Sequence, residues 1–383
     1  MRDFKNIKTI IIKVGSSSLV NKDLSINQPI IVGIMETFKE LNEKGINVAL
    51  VTSGAIAVGM HELGLTKKPK EMSLKQACAA IGQAKLMESY NKAAEIYGLK
   101  AGQILVNHDD FQIRKRMNYL SDTLDSMFKH NIIPIINEND ALAVEEIKVG
   151  DNDTLASLIS PMINADLLIL FSDIDGLFNK NPKIYKDAKL INTVEKVDES
   201  IFKMAGDKTT EVGTGGMQTK INAAKISTSA GCNMIICNSN QIKNISSIVS
   251  GEEIGTLFLA SKNQISSREH WIIFKANSMG KISVDDGLKK ALEQKKVSIL
   301  SKGILKVDGE FLKGMIITIC DKKGNILAKG ITNYSSAEIN LIKGHDSNEY
   351  KEILGYEGKK EIIHANDLVL IKEDLYGFDF KKM

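Results

Sequence analysis

The sequence predicts an α/β protein: a doubly wound, mostly parallel open sheet with helices on both faces, followed by a small mainly β domain. Three observations lead there. Apolar, β-branched runs of strand length alternate with helical periods from the N-terminus to about residue 260. These runs are continuously apolar rather than alternating, the pattern of strands covered on both faces by crossover helices. Near residue 263 the pattern changes to short elements separated by turn residues.

In chain order, Lys8 to Val14 is the first apolar β-branched run and Ile46 to Thr52 the second. Ala101 to Val106, Ile132 to Asn137, Leu167 to Ser172 and Asn233 to Asn238 follow as further strands. Between the first two, residues 27–45 place Ile31, Ile34, Met35, Phe38 and Leu41 on one helical stripe, with Asn27 and Pro29 to open it and Gly45 to close it. Leu74 to Tyr97 reads as a helix with a small-residue face of Ala77, Cys78, Ala80, Ile81 and Ala84, ended by Gly98. Thr154 to Asn164 and Met217 to Ala230 are further helices, although Pro161 falls inside the former and favours an early end or kink. Such alternation gives a doubly wound domain whose ligand sites lie at the carboxyl ends of the strands. Beyond residue 263, Ile282-Ser283-Val284, a helix around Leu288 to Gln294, a hairpin of Met315 to Cys320 with Ile326 to Ile331, and a last strand at Leu368 to Ile371 make up the second domain.

A chain of 383 residues is long enough for two or three domains and needs no disulfide or structural metal to hold a core. Its longest apolar runs, such as Leu167 to Phe171, are strand-sized, and the N-terminus enters a strand pattern without a signal-peptide segment. A cytoplasmic protein with no membrane contact is expected. Cys78, Cys232, Cys237 and Cys320 are scattered and form no C-x-x-C pair, so they read as buried small hydrophobes. His61-Glu62 lacks the second histidine of a zincin, and no metal site is expected from protein side chains. The net charge of +3 is too mild to argue for nucleic acid. Of the basic residues only Arg2, Arg114, Arg116 and Arg268 carry the planar guanidinium that direct readers of bases and phosphates favour.

Four segments stand out, each at the end of a predicted strand. Lys13-Val14-Gly15-Ser16-Ser17-Ser18 offers an ammonium and backbone N–H groups to an anion, without Walker A spacing. Val51-Thr52-Ser53-Gly54-Ala55-Ile56-Ala57-Val58-Gly59 is small enough for close approach of a ligand or of a packed helix. Ile136-Asn137-Glu138-Asn139-Asp140 is followed by Lys148-Val149-Gly150-Asp151-Asn152-Asp153, two Asn/Asp clusters able to hold an ammonium, a carboxylate or hydrated Mg²⁺. Asx turns and an N-cap at Asp153 account for the same residues without a ligand. Gly213-Thr214-Gly215-Gly216-Met217-Gln218-Thr219-Lys220 opens a helix in the manner of a phosphate cradle.

Two lysines, a Gly-rich helix start and an Asp/Asn cluster describe phosphoryl transfer from a nucleotide to a small polar acceptor. The four segments contain no histidine. A carboxylate acceptor would need none, being already ionised at pH 7. Its phosphorylation requires only that the negative charge of two approaching anions be cancelled.

The motifs I-I-K-V-G-S-S, V-T-S-G-A-I-A-V-G, I-N-E-N-D with E-I-K-V-G-D-N-D, and G-T-G-G-M-Q-T-K resemble those of the glutamate 5-kinase family within the amino acid kinase superfamily. The resemblance runs from residue 8 to about 260. The second domain is similar to the family's C-terminal PUA domain at Ile282 to Gly287, Ser301 to Ile304 and Ile353 to Glu357. It implies a kinase domain over 1–262, a linker over 263–279, a PUA domain over 280–360 and a tail over 361–383. The implied reaction is ATP-dependent phosphorylation of the γ-carboxylate of L-glutamate, the first step of proline biosynthesis, with Mg²⁺ accompanying ATP and proline as inhibitor. The resemblance further implies that Lys13 and Lys220 act on the phosphates and that Asp153 orients them. Ser53, Asp140 and Asn152 would bind glutamate, with backbone amides of Gly54 and Ala55. Ser172, Asp173 and the run Thr214, Gly215, Gly216, Met217, Gln218, Thr219, Lys220 would line the ATP site. A homo-oligomer, dimer or tetramer, is the family's habit. Ser172 stands where a threonine is common and keeps the hydroxyl. Two other readings remain open: a superfamily kinase for N-acetylglutamate, carbamate or UMP, and RNA binding through the second domain.

Overall fold

The computed structural model describes every residue except 1, 5, 108, 109, 112, 143–151, 183, 206–215, 262–268, 270, 271, 273–277, 279 and 372–383. The chain divides into two compact units, one of residues 1–110 and 114–264, the other of residues 265–383 with 111–113.

In the first unit the strands are β1 Thr9–Lys13, β2 Asn47–Val51, β3 Lys100–Val106, β4 Ile132–Glu138, β5 Leu167–Ser172, β6 Thr193–Val194, β7 Asn233–Asn238 and β8 Thr256–Phe258. Among the described residues they form one sheet in the order β3-β4-β2-β1-β5-β7-β8-β6. Every pairing from β3 across to β7 is parallel, and only β8 runs against β7. β1 and β5 are buried at every position, as their unbroken hydrophobicity requires, whereas the edge strand β3 exposes Lys100 and Gln103. β2 continues the chain on one side of β1, while β5 and β7 lie on the other. The order of strands therefore reverses at β1, and a crevice opens at its carboxyl end. Lys13, the last residue of β1, pairs with Val51 on β2 and Leu170 on β5.

The helices pack as their stripes predict, with two differences. Gln28–Glu43 buries Ile31, Ile34, Met35, Phe38 and Leu41 against the sheet. The helix after Asp153 runs from Asn152 to Ile159 and passes into a 3₁₀ turn at Ser160–Met162. Pro161 has no N–H to continue the ladder, so the helix stops short of the expected Asn164. In Met72–Ile96 the expected face is not the one that packs. Ala77, Ala80, Ile81 and Ala84 are exposed, while Cys78, Ala79, Gly82, Leu86, Met87 and Tyr90 are buried. Two glycines decide this. A Cβ on Gly82 would lie 1.8 Å from the carbonyl oxygen of Ala55, and one on Gly59 would lie 1.8 Å from that of Cys78. The helix Ala55–Glu62 therefore meets Met72–Ile96 backbone to backbone, on the side where no side chain intervenes. Among the described residues no helix is long and apolar enough to cross a membrane.

The second unit holds a sheet in the order β10-β9-β11-β12-β13, from Ile304–Asp308, Lys281–Val284, Ile316–Cys320, Ile326–Ile331 and Leu368–Leu370. The expected hairpin is β11–β12, its turn fastened by Asp321, whose carboxylate accepts from the backbone N–H groups of Lys323 and Asn325. The boundary expected at residue 360 cuts through this fold. Ile362, Ile363 and Leu368 are fully buried in its core, and β13 pairs antiparallel with β12. The apolar residues after Gly358 are the partners that close the sheet edge, so the domain continues to Ile371.

Candidate active site

The site forms where β1, β2, β4 and β5 end. Lys13 closes β1, and Lys220 lies one turn into the helix Met217–Ser229. Between them stands Asp153, in the first turn of Asn152–Ile159 and 1% exposed. Its Oδ1 is 2.6 Å from Lys13 Nζ, and its Oδ2 accepts from Lys220 Nζ at 2.8 Å. Asp153 is thus no N-cap: it lies inside the helix and its carboxylate is taken by the two ammonium groups. Burial works to raise the pKa of this carboxyl, but the two lysines outweigh burial and hold it below the usual range. Two cations around one anion leave a net positive charge in a cleft, the condition for attracting polyphosphate.

Beside this triad Thr52, Ser53, Asn137 and Asn152 meet. Asn152 Nδ2 donates to the Thr52 carbonyl at 2.8 Å, Ser53 Oγ at 2.7 Å and Asn137 Oδ1 at 3.1 Å. Thr52 is held in turn by a buried contact of 2.7 Å between its hydroxyl and that of Tyr90. Gly54 sits at φ +99°, a left-handed conformation that lets Ala55 begin its helix directly after β2. Asp140 lies half-buried in the turn after β4. The packing reading of the Val51 to Gly59 segment is seen at Gly59, which lies against the Cys78 backbone.

Ser172 ends β5 two residues beyond the partner of Lys13, and its hydroxyl donates to Asp173 at 3.0 Å. Gly216 caps the helix Met217–Ser229, with the Thr219 hydroxyl donating to its carbonyl at 2.7 Å. Among the described residues, a Cβ on Gly216 would meet nothing within 4 Å. Met217 and Gln218 follow in the first turn. Thr214, Gly215 and the run Lys148 to Asp151 lie outside the described residues. No group of three His, Cys, Asp or Glu side chains among the described residues is arranged to hold a metal ion.

The sequence profile of the amino acid kinase family matches residues 8–238, and that of the PUA domain matches residues 280–354. A glutamate 5-kinase from Caldanaerobacter subterraneus subsp. tengcongensis is 46% identical over 369 residues, covering 96% of this chain and 99% of its own. Glutamate 5-kinases from Thermoanaerobacter sp. and Methanococcoides burtonii are each 43% identical, covering 95% of this chain and 98% and 96% of theirs. The chain belongs to the glutamate 5-kinases of the amino acid kinase family.

Within this kinase, sequence reasoning brought together Lys13, Asp153 and Lys220 and, separately, Ser53 and Asn152. It passed over two side chains. Asn137 lay inside a quoted motif but had no assigned role. Gln83 belongs to no motif, and the signal that could have found it is a long amide next to a glycine on an otherwise apolar helix face.

Proposed function

We propose that this kinase transfers the γ-phosphoryl group of ATP to the γ-carboxylate of L-glutamate, giving L-glutamyl 5-phosphate and ADP, the first step of proline biosynthesis. The observation that carries the reading is the single buried carboxylate of Asp153 holding both Lys13 and Lys220. A carboxylate oxygen of glutamate forms the new bond to phosphorus. The bond from the γ-phosphorus to the β,γ-bridging oxygen breaks, and its electron pair leaves with ADP. No proton moves, so no general base is required. The chain must bring two anions together, and Asp153 keeps the lysine ammonium groups aimed before the substrates arrive, so little reorganisation remains at the moment of transfer.

Lys13 binds the phosphates and Lys220 stabilises the transferring group. Ser172, Asp173 and the run from Thr214 to Lys220 line the ATP site. Ser53, Asp140, Asn152 and the backbone N–H groups of Gly54 and Ala55 bind glutamate. Mg²⁺ enters as part of the MgATP substrate. Proline as feedback inhibitor, a dimeric or tetrameric assembly, a cytoplasmic location and a structural or regulatory second domain complete the proposal. The curated names of the relatives support the acceptor.

The test is ADP release with MgATP and L-glutamate, N-acetylglutamate, aspartate or UMP, with hydroxylamine to trap an acyl phosphate. Turnover and hydroxamate with L-glutamate alone are expected. Turnover with another acceptor would keep the lysine roles and discard those of Asp140 and Asn152. Silence with all four, together with salt-sensitive RNA binding, would overturn the reading.

A further inference from the structure

The amides at the floor of the acceptor pocket are oriented by a chain of hydrogen bonds whose last member lies outside every motif. Asn137, on β4, is 1% exposed. One atom of its amide faces the backbone N–H of Glu138 at 2.9 Å. An N–H only donates, so that atom is Oδ1, which also accepts from Asn152 Nδ2. Nδ2 of Asn137 must then point the other way, and there it donates to Oε1 of Gln83 at 2.9 Å, a fully buried contact. The nitrogen that donates to Asn137 has a second, backbone partner. The Thr52 carbonyl can only accept, so Nδ2 of Asn152 faces it, and Oδ1 of Asn152 is buried without a hydrogen bond among the described residues.

Gln83 is thus the acceptor that completes the sequence. Removing it would leave Asn137 Nδ2 buried and unsatisfied, which favours rotation of that amide and loss of its bond to Asn152. Gln83 is itself 7% exposed, on the helix Met72–Ile96. Its neighbour Gly82 is the residue that lets this helix meet the Ala55 carbonyl, so one short stretch sets both the start of the Ala55 helix and the pocket amides.

We infer that Gln83 is a positioning residue for acceptor binding, acting through Asn137 to hold the Asn152 amide in one orientation. This rests on the assignment of the Asn152 side to the acceptor in the preceding subsection. Gln83→Met keeps the length of the side chain and replaces the amide oxygen with a thioether, a much weaker acceptor. Its KM for L-glutamate is expected to rise about 10-fold or more, a common cost of misplacing a binding group, with the ATP KM close to wild type and some loss of melting temperature from the unsatisfied amide. In an Asn137→Ala background the same change is expected to add nothing further, because the link it acts through is already gone.

An unchanged glutamate KM in Gln83→Met, or full additivity with Asn137→Ala, would overturn the inference. Gln83→Leu repeats the measurement should the methionine variant lose its fold. Wild-type turnover is the control that separates the two ideas. If the wild type phosphorylates another acceptor, the glutamate reading fails, while the Gln83 cycle is still decided on the KM of that acceptor.

Discussion

Lys220 Nζ donates to Asp153 Oδ2 at 2.8 Å across 67 residues of sequence, and the two side chains are 6% and 1% exposed. Lysines buried to this extent are rare unless paired. Here one carboxylate serves both Lys220 and Lys13.

Lys13→Ala and Lys220→Ala are each expected to lower kcat by about 10²-fold or more, the scale for losing one charge partner of a transition state. Steady-state rates of ADP release measure this. Normal turnover in either variant would remove the lysines from the mechanism.

Asp153→Asn removes the carboxylate that the two ammonium groups share. Breaking such a buried arrangement costs about 3–5 kcal/mol of stability, which a denaturant titration would register. The effect carries a pH signature. The folded pKa of Asp153 lies below its unfolded value, so its contribution is present above an unfolded pKa of about 3.9 and is lost as pH falls through the folded one. The stability gap between wild type and Asp153→Asn is therefore expected to narrow below about pH 4. A gap that stays constant as pH falls through this window would contradict the ion-pair account.

Asp140→Asn is expected to raise the KM for glutamate far more than that for ATP, since the proposed function assigns this charge to the acceptor and not to the nucleotide. Equal changes in both constants, read from paired saturation curves, would argue against an acceptor role.

Gly82→Ala places a methyl group where the Ala55 carbonyl oxygen now lies. The two helices must separate, at a cost of about 1–3 kcal/mol or more. Because Ala55 directly follows the loop that holds Ser53, glutamate KM should rise with the loss of melting temperature. An alanine variant with wild-type stability would mean that the helices do not meet backbone to backbone.

Ending the chain after residue 360 removes β13 and the buried Ile362 and Ile363. The second unit is then expected to lose its cooperative thermal transition, while ending after residue 371 preserves it. Equal melting of the two truncated forms would place the tail outside the fold.

Much of the architecture was legible because strands buried on both faces leave unbroken apolar runs. β5 and β7 begin and end where those runs do, at Leu167–Ser172 and Asn233–Asn238. The helix Arg114–Lys129 was not read, because few of its side chains are apolar and Leu124 is its one residue among the buried hydrophobic core. The packed face of Met72–Ile96 was misread because the contact is made by the absence of a side chain at Gly82, which a count of apolar residues cannot register.

By itself the sequence determined the chemistry on offer: which residues end the strands, where the glycines open a helix, and that two lysines and an Asp/Asn cluster face an anionic reaction. Periodicity and turn chemistry are local, and local interactions suffice for them. Only the tertiary structure decided that Asp153 is a shared counter-ion rather than a helix cap, and that Gln83 stands behind Asn137. Those assignments depend on pairings between strands and helices far apart in the chain. They also depend on burial, which turns an exposed polar side chain of little consequence into one whose every donor and acceptor must be placed.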